Sequence, residues 1–237
     1  MKVLAFLLLI SNLNFIYTLT WYGNFANFSS WPIKGSYLNE NRQVVNDPKG
    51  GTDQVLKVTY QAGSYSKGVL KGGTGFWVYP FGNATVEHAT IEYSVLFPNE
   101  FDFVKGGKLP GLFGKRTNCT GGDSALDCFS ARFMFGPNAT GYSYLYVSKT
   151  ANHTKEFCEL ATNPTCSPQY GYDLGKSKWF EKEKWARIKE EVKLNTPPLP
   201  SGRLTVWVDG VLKFDFDKII FRTMFVPITG MAFETCK

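Results

Sequence analysis

Between Phe101 and Tyr146 the chain carries a cation, a hydroxyl, a second cation and two phenols at strand spacing: Lys108, Ser130, Arg132, Tyr144 and Tyr146. Residues two apart share one face of a strand, so Ser130 and Arg132 point together, as do Tyr144 and Tyr146. Gly136, Pro137, Asn138, Ala139, Thr140 and Gly141 form a strong turn between them. A hairpin symmetric about Asn138 sets Arg132 opposite Tyr144 and Ser130 opposite Tyr146, which makes one polar patch. A planar guanidinium grips a carboxylate through two parallel hydrogen bonds, and a phenol beside cations can exchange a proton near neutral pH. Tyr-Xaa-Tyr and Ser-Xaa-Arg are also ordinary surface-strand sequences, so the patch gains meaning only if the fold brings Lys108 to it.

The elements that must position these residues read as short strands. Val55 to Tyr60 and Thr90 to Phe97 alternate apolar and polar residues, with Ile91, Tyr93 and Val95 on one face. Phe129 to Phe135 and Tyr142 to Val147 flank the turn just described. Arg203 to Val208 and Val211 to Phe216 flank Asp209 and Gly210, the strongest short hairpin signal in the chain. Trp185 to Leu194 suits a helix by its charges and a strand by its alternation, and is read as a strand. Ser148 to Lys178, polar and cysteine-clipped, reads as a covering loop. This pattern predicts an all-β protein, a jelly-roll β-sandwich of two antiparallel sheets with one concave groove.

Composition agrees. Among 237 residues, 43% are hydrophobic and only 19% charged, enough for a core in one all-β domain. The 23 glycines and 12 prolines follow no fixed period, which excludes collagen-like and solenoid repeats. Twenty-six Lys and Arg against 20 Asp and Glu give a net charge of +6, too dispersed to require nucleic acid but suited to another polyanion.

Lys2 and the apolar run Val3 to Ile10 predict a secretory signal peptide over residues 1–18, too short to span a bilayer, ahead of one domain over 19–237. The expected mature protein is a secreted, extracellular monomer with no membrane attachment. Sequons at Asn27, Asn83, Asn118, Asn138 and Asn152 predict glycosylation. Disulfides are expected between Cys119 and Cys128 and between Cys158 and Cys166, because each closes a short loop, with Cys236 left over.

Other chemistries lack their residues. No Gly-rich phosphate loop and no Gly-Xaa-Ser-Xaa-Gly elbow is present, and His88 and His153, the two histidines, read as structural. The cysteine spacings match no zinc pattern and the acidic residues no calcium loop, so neither metal nor cofactor is expected. A glycoside hydrolase needs paired carboxylates; Asp215 and Asp217 share a hairpin face better read as solvated.

The segment Gly106, Gly107, Lys108, Leu109, Pro110, Gly111 and Leu112, followed by Ser130, Arg132, Tyr144 and Tyr146, resembles polysaccharide lyase family 14, the alginate and glucuronan lyases of algal viruses, molluscs and some fungi. A looser echo runs through Trp185, Leu194, Asn195 and Val206 to Gly210. The resemblance implies a jelly-roll lyase whose groove binds an acidic polyuronate, with Lys108, Ser130, Arg132, Tyr144 and Tyr146 as the catalytic set and Lys108 and Arg132 binding substrate. The chemistry suits them: loss of the C5 proton beside a uronate carboxylate needs a cation to offset the charge, and the C4 oxygen must leave. Tyr146, oriented by Ser130, is preferred as base and Tyr144 as acid, with Lys108 as rival base. The chain departs from the family pattern at its end, where Gly230 to Lys237 stops early and leaves room for a shortened edge or inner strand. The alternative reading is a lectin-like module that grips an acidic glycan without cleaving it.

Overall fold

Apolar alternation interrupted by turn residues yields a chain of strands, seen in a computed structural model that describes residues 2–10, 20–65, 69–161 and 168–235. They are β1 (Lys2–Ile10), β2 (Trp21–Gly23), β3 (Ile33–Tyr37), β4 (Arg42–Asn46), β5 (Gln54–Val58), β6 (Thr74–Val78), β7 (His88–Leu96), β8 (Gly107–Gly114), β9 (Phe129–Phe135), β10 (Thr140–Tyr146), β11 (Tyr172–Lys178), β12 (Trp185–Lys193), β13 (Gly202–Val208), β14 (Val211–Ile219) and β15 (Ile228–Thr235), with one helix, α1 (Lys155–Leu160). One sheet runs β14-β13-β12-β7-β1-β5-β4, with β2 beside β1, and the other runs β11-β10-β9-β8-β15-β6-β3. All the strand pairs are antiparallel, as the sandwich reading requires.

The facing sides of the sheets make the core. Phe129, Ala131, Phe133 and Phe135 of β9 are fully buried between the sheets, as are Ile91, Tyr93 and Val95 of β7. Their alternation leaves Ser130 and Arg132 on the opposite face of β9. Trp185–Lys193 is a strand whose core side carries Ala186, Ile188, Glu190 and Val192. A carboxyl therefore sits in the apolar layer. Asp209 and Gly210 take φ of 51° and 79°, the left-handed pair that a two-residue hairpin demands.

Two expectations change. Ser148 to Lys178 is no simple covering loop: α1 begins where Thr154 Oγ1 accepts the Phe157 N–H at 3.2 Å, and β11 adds an edge strand to β10. Phe157, Tyr172 and Leu174 bury completely or nearly so, but their periodicity is diluted in sequence by polar neighbours. The last strand is not shortened either. β15 is a full strand held between β8 and β6.

The Cys119–Cys128 disulfide is present. Cys158 is disulfide-bonded, whereas Cys166 and Cys236 lie outside the described residues. Residues 2–10, within the expected leader, form β1 between β7 and β5; residues 11–18 lie outside the described residues.

Candidate active site

The β9–β10 hairpin closes in the register its turn predicts: Arg132 lies opposite Tyr144 and Ser130 opposite Tyr146. Lys108 joins the same face through β8, opposite Met134, which in turn pairs with Tyr142. The register shifts at Pro110, so Gly111 rather than Pro110 meets Arg132. Gly111 is required there, since a Cβ would stand 2.1 Å from the Ala131 carbonyl oxygen and 2.5 Å from Arg132 Cα. Behind this bulge the Tyr93 hydroxyl donates to the Pro110 carbonyl at 2.8 Å, tying β8 to the opposite sheet.

A loop over residues 115–128 covers much of this patch and bonds four of the five side chains. Ser130 Oγ donates to the Cys119 carbonyl at 3.0 Å, and Arg132 donates to the Thr117 carbonyl at 3.5 Å. Lys108 Nζ donates to Thr120 Oγ1 at 2.7 Å, and the Gly122 N–H donates to the Tyr146 oxygen at 3.0 Å. The loop is itself braced. The disulfide closes its 119–128 part, and Arg116 donates to Asp123 at 2.8 and 2.9 Å and to Asp127 at 2.9 Å. Hydrogen bonds from Lys115 and Arg116 pull the Asp127 carboxyl down to about 2.

This cover divides the set. Ser130 and Arg132 are fully buried and Tyr146 is 2% exposed, whereas Lys108 and Tyr144 remain partly open. The Tyr144 hydroxyl donates to the Tyr146 oxygen at 3.4 Å and accepts the Gly171 N–H at 3.2 Å. Burial first, then the hydrogen bond to Tyr146, pushes the Tyr144 phenol well above its ordinary value. The acidification expected from neighbouring cations does not occur at this tyrosine. Its proton is held on, which makes Tyr144 a donor at neutral pH.

Two further expectations are redirected. Ser130 does not orient Tyr146, because its hydroxyl is committed to Cys119. Arg132 turns away from open solvent and forms an ion pair with Glu234 of β15, the side chains being 1% and 9% exposed. Glu234 also accepts from the Tyr37 hydroxyl at 3.2 Å. Glu234 and Tyr37 stand about ninety to a hundred residues from β9 in sequence, and no local spacing announces them. Asp173 of β11, opposite Tyr144, is another arrival, its carboxyl raised by burial and partly relieved by Lys176. Asp215 is exposed and paired with Arg203 and Thr205, the solvated role expected of it.

Residues 48–236 match the family model described as Polysaccharide lyase 14. The chain belongs to polysaccharide lyase family 14. A marine PL-14 alginate lyase from Aplysia kurodai is 30% identical, with a TM-score of 0.73 over 86% of this chain and 81% of that one. An alginate lyase from Chlorella virus shares the fold at 21% identity and a TM-score of 0.73, over 87% of this chain and 84% of that one. An endo-beta-1,4-glucuronan lyase from the fungus Trichoderma reesei does so at 13% identity and a TM-score of 0.52, over 97% and 93%. No curated protein matches. As a family 14 member the protein is a polysaccharide lyase on a jelly-roll sandwich, and the outer face of its seven-stranded sheet carries the polar set.

Proposed function

We propose that this lyase cleaves an acidic polyuronate, of the alginate or glucuronan type, by β-elimination on the face formed by β8, β9 and β10. The observation that carries this reading is the division of the polar set: Lys108 and Tyr144 alone among the five are partly open, on one face of the sheet, with Lys108 held by the braced loop. Relatives named as alginate and glucuronan lyases support the substrate class.

Lys108 takes the C5 proton and Tyr144 protonates the departing C4 oxygen. The C5–H bond breaks as an N–H bond forms, the electron pair becomes the C4–C5 double bond, and the C4–O bond breaks. Proton transfer leaves an ammonium beside the carboxylate on which negative charge develops, so base and counter-charge are one group. The raised Tyr144 phenol remains loaded with the proton that the leaving oxygen needs. Tyr146 and the Gly171 N–H hold that hydroxyl in place, and its proton turns from the Tyr146 oxygen to the C4 oxygen as the latter departs. This assignment exchanges the preferred base, since Tyr146 is buried beneath Gly122.

Secretion belongs to the same proposal. It is supported by the charged and apolar N-terminus, by the Cys119–Cys128 disulfide, and by five sequon asparagines that are all exposed.

The test is absorbance at roughly 235 nm, where the unsaturated uronate absorbs, with alginate, glucuronan and a neutral glucan as substrates. The uronans should give signal and the neutral glucan none. Lys108→Ala should be inactive, and Lys108→Arg, which keeps charge but cannot serve as base, should be nearly so. A near-normal Lys108→Arg rate would make Lys108 a counter-charge only. Oligouronate binding without absorbance would favour the lectin-like reading.

A further inference from the structure

The ion pair of Arg132 and Glu234 is the part of this face that the reaction leaves unexplained. It bridges strands that are not neighbours: Arg132 is on β9, Glu234 on β15, and β8 runs between them. Tyr37 on β3 reaches Glu234 across β6 in the same way. A glycine stands at each crossing. Gly111 of β8 is in register with Arg132 on one side and Ala232 on the other, while Gly75 of β6 is in register with Glu234 and Tyr37. A Cβ on Gly75 would lie 2.1 Å from the Tyr37 ring. Two side-chain gaps in the sheet thus let three side chains join across five strands.

Both charges of the pair are almost wholly removed from water. A substrate carboxylate that displaced Glu234 would strand it as a buried, uncompensated charge, so exchange is unfavourable. Arg132 therefore acts through what it holds. It also donates to the Thr117 carbonyl in the 115–128 loop, and that loop supplies Thr120 to the Lys108 amine and the Gly122 N–H to Tyr146.

The geometry points to Glu234 as a positioning residue that, clamped by Tyr37, anchors Arg132 and through it the loop that aims Lys108. This role rests on the lyase reading of the same face. Glu234 does not touch the sugar. Its removal disturbs the alignment of proton transfer and not the binding of the chain.

Glu234→Gln keeps the shape and removes the charge. Measured by unsaturated-uronate absorbance, its kcat should fall on the order of 100-fold, as expected for a misplaced reacting group, with KM within about twofold of wild type. Tyr37→Phe, which loses one hydroxyl, should lower kcat on the order of 5-fold, again at constant KM. An active wild type with an indifferent Glu234→Gln overturns the role, and so does a raised KM at unchanged kcat, which would place Glu234 on the substrate. If Glu234→Gln does not fold, Tyr37→Phe decides, and a wild-type kcat there overturns the proposal. A wild type without absorbance on any uronan overturns the lyase reading, and the positioning role falls with it.

Discussion

Replacing Glu190 by Gln should make the protein more stable at alkaline pH and change it little near pH 4. Glu190 lies fully buried on the core face of β12, and burial raises its carboxyl from 4.5 to about 8, partly offset by its hydrogen bond with Ser143. Ser143 Oγ stands 3.0 Å from Glu190 Oε2 and 3.4 Å from the Arg132 carbonyl oxygen. One hydroxyl proton serves two acceptors, so Ser143 offsets only part of the cost of burying the carboxylate. The sign follows from proton counting. Below pH 4.5 both the folded and unfolded chains hold this proton; as pH rises to about 8 only the folded chain does, and stability falls throughout that window. At about 1.4 kcal/mol for each pH step, the loss reaches about 5 kcal/mol above pH 8. Urea unfolding of wild type and Glu190→Gln at pH 4, 6 and 9 reads this directly. The curves should converge at pH 4 and separate by several kcal/mol at pH 9. Parallel pH dependences in the two proteins would show that Glu190 is not held neutral by the fold.

Tyr144→Phe should lower kcat by about 100-fold or more with little change in KM, and Tyr146→Phe, which removes only a buried acceptor, by about 10-fold; stopped-flow absorbance on one uronan orders the two. Because the Tyr144 phenol is raised, the folded enzyme's kcat should show no loss of its acid up to about pH 10, the ordinary phenol value, and a decline starting near pH 8 that vanishes in Tyr144→Phe would contradict this. Cys119→Ser opens a link of sequence separation 9 and should reduce stability by about 2–3 kcal/mol while lowering kcat through release of the 115–128 loop; an unchanged kcat would show that the loop's contacts alone suffice. The secreted chain is expected to begin at Leu19 and to carry glycans on exposed sequons, and intact mass before and after deglycosylation checks both; a mature chain retaining Lys2 would make β1 a permanent strand.

Much of the fold was legible locally. Phe129–Phe135 and Trp185–Lys193 declare themselves by alternation, and the turn around Asn138 sets which side chains of β9 and β10 face each other. Pairing across a short hairpin is fixed by the turn and the pleat, both local properties. β11 was not legible, because Asp173, Lys176, Ser177 and Lys178 hide the buried Tyr172 and Leu174, and an edge strand needs no apolar outer face. Nor was the completeness of β15, whose pairing depends on β6 and β8 far away in sequence.

Residue order alone was enough for the all-β class, the hairpin that carries Ser130, Arg132, Tyr144 and Tyr146, the Cys119–Cys128 link, and a resemblance strong enough to propose a lyase. Which of those residues meet solvent was settled by packing. Exposure depends on what folds over a strand, and the 115–128 loop buries Ser130, Arg132 and Tyr146 while leaving Lys108 and Tyr144 partly open. It also decided the partner of Arg132. A guanidinium in sequence is a charge without a direction, and only the stacking of β15 two strands away, across a glycine with no side chain, delivers Glu234 to it. Residue types are inherited from the chain, whereas burial, pairing and the proton affinities that follow from them arise from contacts between segments that sequence distance does not measure.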